Sequence, residues 1–183
     1  MERARNLKLQ IASDKIVIPF FNRPYYLSQR GILDTAGKEP TPAVGAVLLE
    51  YVLRNETIHP PARDKISFRD IEGAGPLVAS FASNTNRLIA QTFARRLPDL
   101  EAACLNIKGE HAKNDMSADL SMRFTALPEV MLYLTFNDKD EDFPSQCHLL
   151  FYRSAEQYLS MKSLFVLGTS LAGSLIKFLQ EGK

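Results

Sequence analysis

Tryptophan is absent from this chain, cysteine occurs twice and histidine three times. Two thiols, Cys104 and Cys147, cannot form a disulfide framework. They read as reduced, buried side chains of a cytoplasmic protein. Nor can two cysteines supply the four thiolates of an iron–sulfur cluster. Net charge is nearly absent as well: 22 basic and 21 acidic residues leave +1, with no basic stripe interleaved with aromatics. Neither nucleic acid nor an anionic membrane is therefore an expected partner. The start, MERARNLKLQIASDK, is basic but has no apolar core, so no signal peptide is expected. The longest apolar run, Leu164 to Ile176, is shorter than the ~20 residues needed to span a bilayer. There is no phosphate-cradling glycine loop, dinucleotide fingerprint, internal repeat or low-complexity tract. What is present is an ordinary globular composition, 45% hydrophobic and 23% charged, over 183 residues. That length suits one domain with its own core.

The most strongly patterned stretch is Leu127 to Tyr152. Glu129 to Phe136 is apolar at both parities, which predicts a central strand covered on both faces. Cys147 to Tyr152 predicts a second strand, and the Asn, Asp, Pro and Ser residues between them predict a long turn. Ala118 to Phe124 alternates and predicts a third, half-buried strand. Earlier, Ile16 to Phe21 and Tyr25 to Ser28 read as strands, with Pro19 demoting the first to an edge or bulged position. Thr41 and Pro42 predict a helix start, and Val44, Val47, Leu48, Tyr51 and Val52 share one helical face. That helix is expected to end near Asn55.

Ile66 to Ile71 predicts a short strand or extended segment. Leu77 to Phe81 and Asn86 to Arg96 predict helix, broken by Pro98. Asp99 to Lys108 predicts another, capped by Gly109. Ser154 to Leu159 predicts a helical link. Met161 to Gln180 predicts a last helix whose Leu164, Leu167, Leu171 and Leu175 face the sheet. The order β-β-α-α-α-β-β-β-α gives an α+β class: a mainly antiparallel sheet of about five strands with helices packed on it. The expectation is a single domain over 1–183, with residues 1–14 a short helix or a frayed end.

Four pieces of the chain resemble the domain-of-unknown-function family 3786, found largely in anaerobic prokaryotes. They are Tyr51–Val52–Leu53; Ile66 to Ile71 with Gly73; Leu127–Pro128–Glu129–Val130; and Asp140–Glu141–Asp142–Phe143–Pro144 followed by Leu150–Phe151 and Ser154–Ala155. The resemblance covers about residues 16–175. It brings no established activity. Some members are joined to iron–sulfur segments or lie near corrinoid-protein genes, so the resemblance implies at most an association with such proteins. Any cluster would come from a partner.

No catalytic constellation emerges from the residues. Asp138, Asp140 and Asp142 match the first ligands of a calcium loop, but Phe143 stands where glycine is needed and Leu149 where glutamate is. The turn reads instead as a solvated acidic loop with Phe143 folded onto the core as its anchor, the alternatives being a looser metal site or the binding of a basic partner. Leu167 to Gly173 is not a nucleophile elbow, because Ala172 replaces the last glycine and every histidine precedes Ser170. Ser174 to Lys177 matches S-x-x-K without its companion motifs. Cys147 and His148 point to opposite faces of a strand. Cys104, Glu110, His111 and Asp115 match no zinc spacing. No metal or cofactor is expected.

Two functional readings follow. The first is a non-catalytic accessory domain that binds a small-molecule ligand or a protein partner. The second is an enzyme acting on a small anionic substrate through a carboxylate–arginine pocket, with Asp119, Asp142 and Arg69 converging. Across both, the ligand-binding candidates are Arg69, Asp119, Asp140, Asp142 and Phe143.

Overall fold

Strand formation follows from where the apolar side chains can go. The computed structural model describes residues 7–12, 15–54, 64–113 and 118–181. Within it, Leu120–Leu127 (β7), Val130–Asn137 (β8) and Gln146–Tyr152 (β9) bury alternate residues on one face. Met122, Leu134 and Leu149 lie side by side there, as do Phe124, Leu132 and Phe151. Lys65–Ser67 (β5) and Glu110–His111 (β6) complete an antiparallel sheet of order β5-β9-β8-β7-β6.

Strand β8 is central, as its sequence predicts, but it is covered on one face rather than two. Met131, Tyr133 and Thr135 on its other face lie outside the hydrophobic core. Tyr133 is nevertheless buried by its neighbours on that face. Lys65 Nζ stands 4.5 Å above its ring, and the Tyr152 ring lies 5.0 Å away.

A second antiparallel sheet, β1-β2-β3-β4, is built from Gln10–Ala12 (β1), Lys15–Phe20 (β2), Arg23–Ser28 (β3) and Gly31–Leu33 (β4). The class is α+β. Residues 1–6 and 13–14 lie outside the described residues, and between them Gln10–Ala12 is strand. Strand β2 runs between β1 and β3, but β1 pairs only with residues 15–17, so at Pro19 the ladder partner is on the β3 side alone. Pro19 sits opposite Pro24. Neither proline has an N–H, so both fit a pair that exchanges no hydrogen bonds, and the ladder is left intact. Phe21 N then donates to Ala126 O at 2.9 Å and ties this sheet to β7.

Thr41 caps the helix Pro42–Leu53 (α1), its Oγ1 accepting Val44 N at 3.4 Å. The expected end near Asn55 lies outside the described residues. Val78–Ala82, a π-helical turn at Ser83–Arg87 and Leu88–Phe93 run on as one helix over 78–93 (α2). The π turn serves the sheet: Asn86 Oδ1 accepts Leu149 N at 3.2 Å, just beyond the last residue at which β5 pairs with β9.

Leu97–Asn106 (α3) begins two residues before the expected Asp99, with Pro98 in its first turn, and the preceding helix already ends at Phe93. It ends in a Schellman turn, in which Lys108 N donates to Leu105 O and Gly109 N to Cys104 O. The left-handed residue is Lys108, at φ 62, not the expected Gly109. Gly109 is required for space, since a Cβ there would stand 2.5 Å from Phe124 Cε1.

In the last helix, Met161–Glu181 (α4), the predicted leucine stripe is fully buried. It packs closely on α1, α2 and α3, in one core with the inward side chains of the sheet. Length and composition alone would let α4 cross a membrane, but 39% of its most apolar stretch is buried inside the fold. Gly168 sits where α4 crosses α2, and Phe81 occupies the space a Cβ there would need.

Candidate functional site

Where β9 leaves the sheet, the chain makes a 3-10 turn at Arg153–Gln157 and enters α4. A helix start leaves several N–H groups without intrahelical acceptors. Glu50 of α1 meets this one. Its carboxylate accepts from Ser160 N at 2.7 Å, from Ser160 Oγ at 2.9 Å and from Ser163 Oγ, and it pairs with Arg54 at 3.3 Å. Burial works to raise the Glu50 carboxyl. The Ser163 and Ser160 bonds and the Arg54 charge outweigh it and hold the group below its ordinary value.

Beside this cap lies a cleft of about 820 Å³, within the ~300–1,000 Å³ usual for small-molecule sites. Three separate stretches of chain line it, the last running from the turn after β9 into α4. Arg54 comes from the end of α1, and Glu72 follows the Phe68–Asp70 turn. Arg153 and Glu156 belong to the turn after β9, and Met161 and Lys162 open α4. Arg153 Nε holds Asp64 Oδ2 at 2.6 Å, and that bond and charge raise the guanidinium above its ordinary value. Glu156 Oε1 accepts Glu72 N at 2.9 Å and fixes the wall opposite. Sequence reasoning missed this site because Arg54 is about a hundred residues from Arg153 and Lys162, and the three cations belong to no motif. The readable signal was Ser160, a cap residue ahead of an apolar helix.

Arg69 is exposed on the turn Phe68–Asp70 at the β5 edge. Its neighbour Asp70 accepts from Ser67 Oγ at 2.7 Å and Ser67 N at 2.9 Å, and these bonds hold that carboxyl below the ordinary range. Asp119 lies toward the other lateral edge of the sheet, ahead of β7. Its Oδ2 accepts Asp138 N at 2.7 Å, and its N–H donates to Asn137 Oδ1 at 3.2 Å. Asp119 is thus brought to the turn that carries Asp140 and Asp142. Arg69 stands across the sheet from Asp119, since β9 and β8 separate β5 from β7 by about 14 Å at ordinary strand spacing.

Phe143 is a correction. It is 65% exposed and anchors nothing. Polar groups order the turn instead. Asp140 Oδ1 accepts Asp142 N at 2.9 Å and Phe143 N at 2.6 Å. Asp138 Oδ1 accepts Arg95 N at 2.6 Å, and Ser145 Oγ donates to Ala90 O at 2.8 Å.

Three of the pieces that carry the family resemblance meet at a structural joint. Tyr51 Oη donates to Leu7 O at 3.3 Å and accepts Glu129 N at 3.2 Å. The Tyr158 ring, just beyond Ser154–Ala155, lies 6.1 Å from the Tyr51 ring. Lys8 Nζ stands 2.7 Å from Glu129 Oε1, an ion pair outside hydrogen-bond angles. Burial pushes the Tyr51 phenol up.

Both thiols are buried. Burial, with a smaller push from Glu101, raises Cys104 to about 12, and burial raises Cys147 further. Among the described residues, no group of three or more His, Cys, Asp and Glu side chains is arranged to hold a metal ion.

No curated protein and no solved structure matches the chain. A family profile does match, over residues 1–174, and so the chain belongs to the family described as Domain of unknown function (DUF3786).

Proposed function

We propose that the chain is a non-catalytic, cytoplasmic binding domain that takes a small anion in the cleft beside the Glu50–Ser160 cap. The observation that carries this reading is the convergence of Arg54, Arg153 and Lys162 on the start of a 21-residue helix, around about 820 Å³ of space. The N–H groups of Met161 and Lys162 belong to the first turn of α4, where no intrahelical acceptor exists and the helix dipole is positive. Glu50 engages the N–H of Ser160 and the two serine hydroxyls. A carboxylate or monophosphate entering the cleft would find those N–H groups and the Lys162 ammonium. Glu72 and Glu156 in the same walls disfavour a highly charged polyanion.

The enzyme reading needs a carboxylate free to move a proton. Glu50 is held ionised as a helix cap, and Glu156 is engaged by the Glu72 N–H. Binding without chemistry is the simpler account. An association with corrinoid or iron–sulfur proteins rests on the family resemblance alone, and a partner would have to bring the metal.

Native mass spectrometry of protein purified without oxygen tests the proposal, run beside Lys162→Glu. The expected result is a retained small anion in the wild type that is lost in the variant. Stoichiometric metal, or an identical spectrum from both proteins, would contradict it.

A further inference from the structure

We infer that Phe143 is a docking peg for a protein partner that presents an apolar pocket rimmed by lysine or arginine. Three observations converge on it. Among the described residues, Phe143 is the one aromatic of the large hydrophobic side chains exposed at the surface, and it is 65% exposed. Its exposure is not that of a loose loop. The Asp140 carboxylate accepts the Phe143 N–H, Asp138 is tied to Arg95 and Asp119, and Ser145 is tied to Ala90. The flanks are thus fastened to α2 and to the segment ahead of β7, and the ring is held outward. A backbone already fastened in place leaves only the side chain's own freedom to lose on docking, and aromatic residues set in pockets dominate interface energetics.

Charge identifies the kind of partner. Asp138, Asp140, Glu141 and Asp142 stand against Lys139 alone, a net charge of −3 around the ring. A basic rim would complement that charge and speed encounter. Two copies of this chain meeting through the turn would oppose like charges. A bound cation is a poorer occupant, since one oxygen each of Asp138 and Asp140 already accepts two backbone N–H groups. The turn leads into β9, whereas the cleft lies past its far end. Partner and small anion can therefore be held together, and failure of one proposal leaves the other standing.

The test places a benzophenone-bearing phenylalanine at position 143 of the full chain in its native cells, with Leu105 as an exposed control position. A protein crosslinked only from 143 is then purified and titrated against wild type, Phe143→Ala and the double variant Glu141→Lys/Asp142→Lys. The expected outcome is an adduct on an apolar residue bordered by Lys or Arg, and binding at least tenfold weaker for each variant. Affinity should also fall as salt rises. An unchanged thermal midpoint of Phe143→Ala shows that the fold is intact. Absence of a 143-specific adduct, an adduct with a second copy of this chain, or unchanged affinity of Phe143→Ala would overturn the inference.

Discussion

Two glycines on one helix should respond to the same substitution with opposite signs. Gly168 and Gly173 both lie in α4. Replacing either by alanine gains helix propensity, about 1 kcal/mol in a helix interior. At Gly173 a Cβ meets nothing within 4 Å, so the gain should appear nearly whole. At Gly168 the new Cβ would lie 2.4 Å from Phe81 Cε2 and 2.6 Å from its Cζ. Phe81 cannot retreat. Its ring stacks on Phe68 at 4.1 Å with planes 5° apart, and the Phe165 and Phe151 rings flank it at 5.8 and 6.1 Å. Overpacking in such a box costs about 1–3 kcal/mol, which outweighs the propensity gain. Gly168→Ala should therefore lose ~1–2 kcal/mol net while Gly173→Ala gains ~0.5–1 kcal/mol. In a chain of this size each kcal/mol moves the midpoint by about 2–4 °C. Thermal unfolding followed by circular dichroism reads both. Equal shifts in the two variants would refute the close approach of α4 and α2.

Leu171→Ala, at a fully buried position, should lower unfolding free energy by ~2–5 kcal/mol in a urea titration. Lys108→Gly should raise it by about 0.5–1 kcal/mol, because glycine holds the left-handed conformation without strain. Phe143→Ala should change stability by less than about 0.5 kcal/mol, as at other exposed sites. Asp140→Ala should cost about 0.5–2 kcal/mol, like the loss of a helix cap. Glu50 has a folded pKa below its ordinary 4.5. Its stabilising contribution is therefore complete above that value and is lost as pH falls through the lower folded pKa. Glu50→Gln should narrow the stability gap to wild type in acid, measured as midpoint against pH from about 6 downward.

Much of the fold was legible because it depends on local periodicity. The leucine stripe of α4, the Thr41 cap and the three strands β7 to β9 each follow from spacing within a short window. The errors share another cause. Strand β8 looked doubly buried because Tyr133 and Met131 are apolar, yet the side chains that cover Tyr133, Lys65 and Tyr152, arrive from strands remote in sequence or across the sheet. Phe143 looked like an anchor because it is the one large apolar residue in its turn. The carboxylates of Asp138 and Asp140 took over that task by accepting backbone N–H groups, which no hydrophobic pattern reports. The glycine at 109 looked like the left-handed cap of α3, but it is there because Phe124 occupies the space a side chain would need, and the turn falls one residue earlier at Lys108. The cleft was the least legible feature. Arg54, Arg153 and Lys162 acquire a common setting only when α1, the turn after β9 and the start of α4 are brought together.

The central claim, that the cleft binds a small anion, is tested most directly by a ¹H–¹⁵N amide spectrum titrated with inorganic phosphate and, separately, with acetate. The account predicts saturable shifts concentrated at Ser154, Met161 and Lys162, absent from Lys162→Glu. Shifts confined to residues 138–145, or none that saturate, would contradict it.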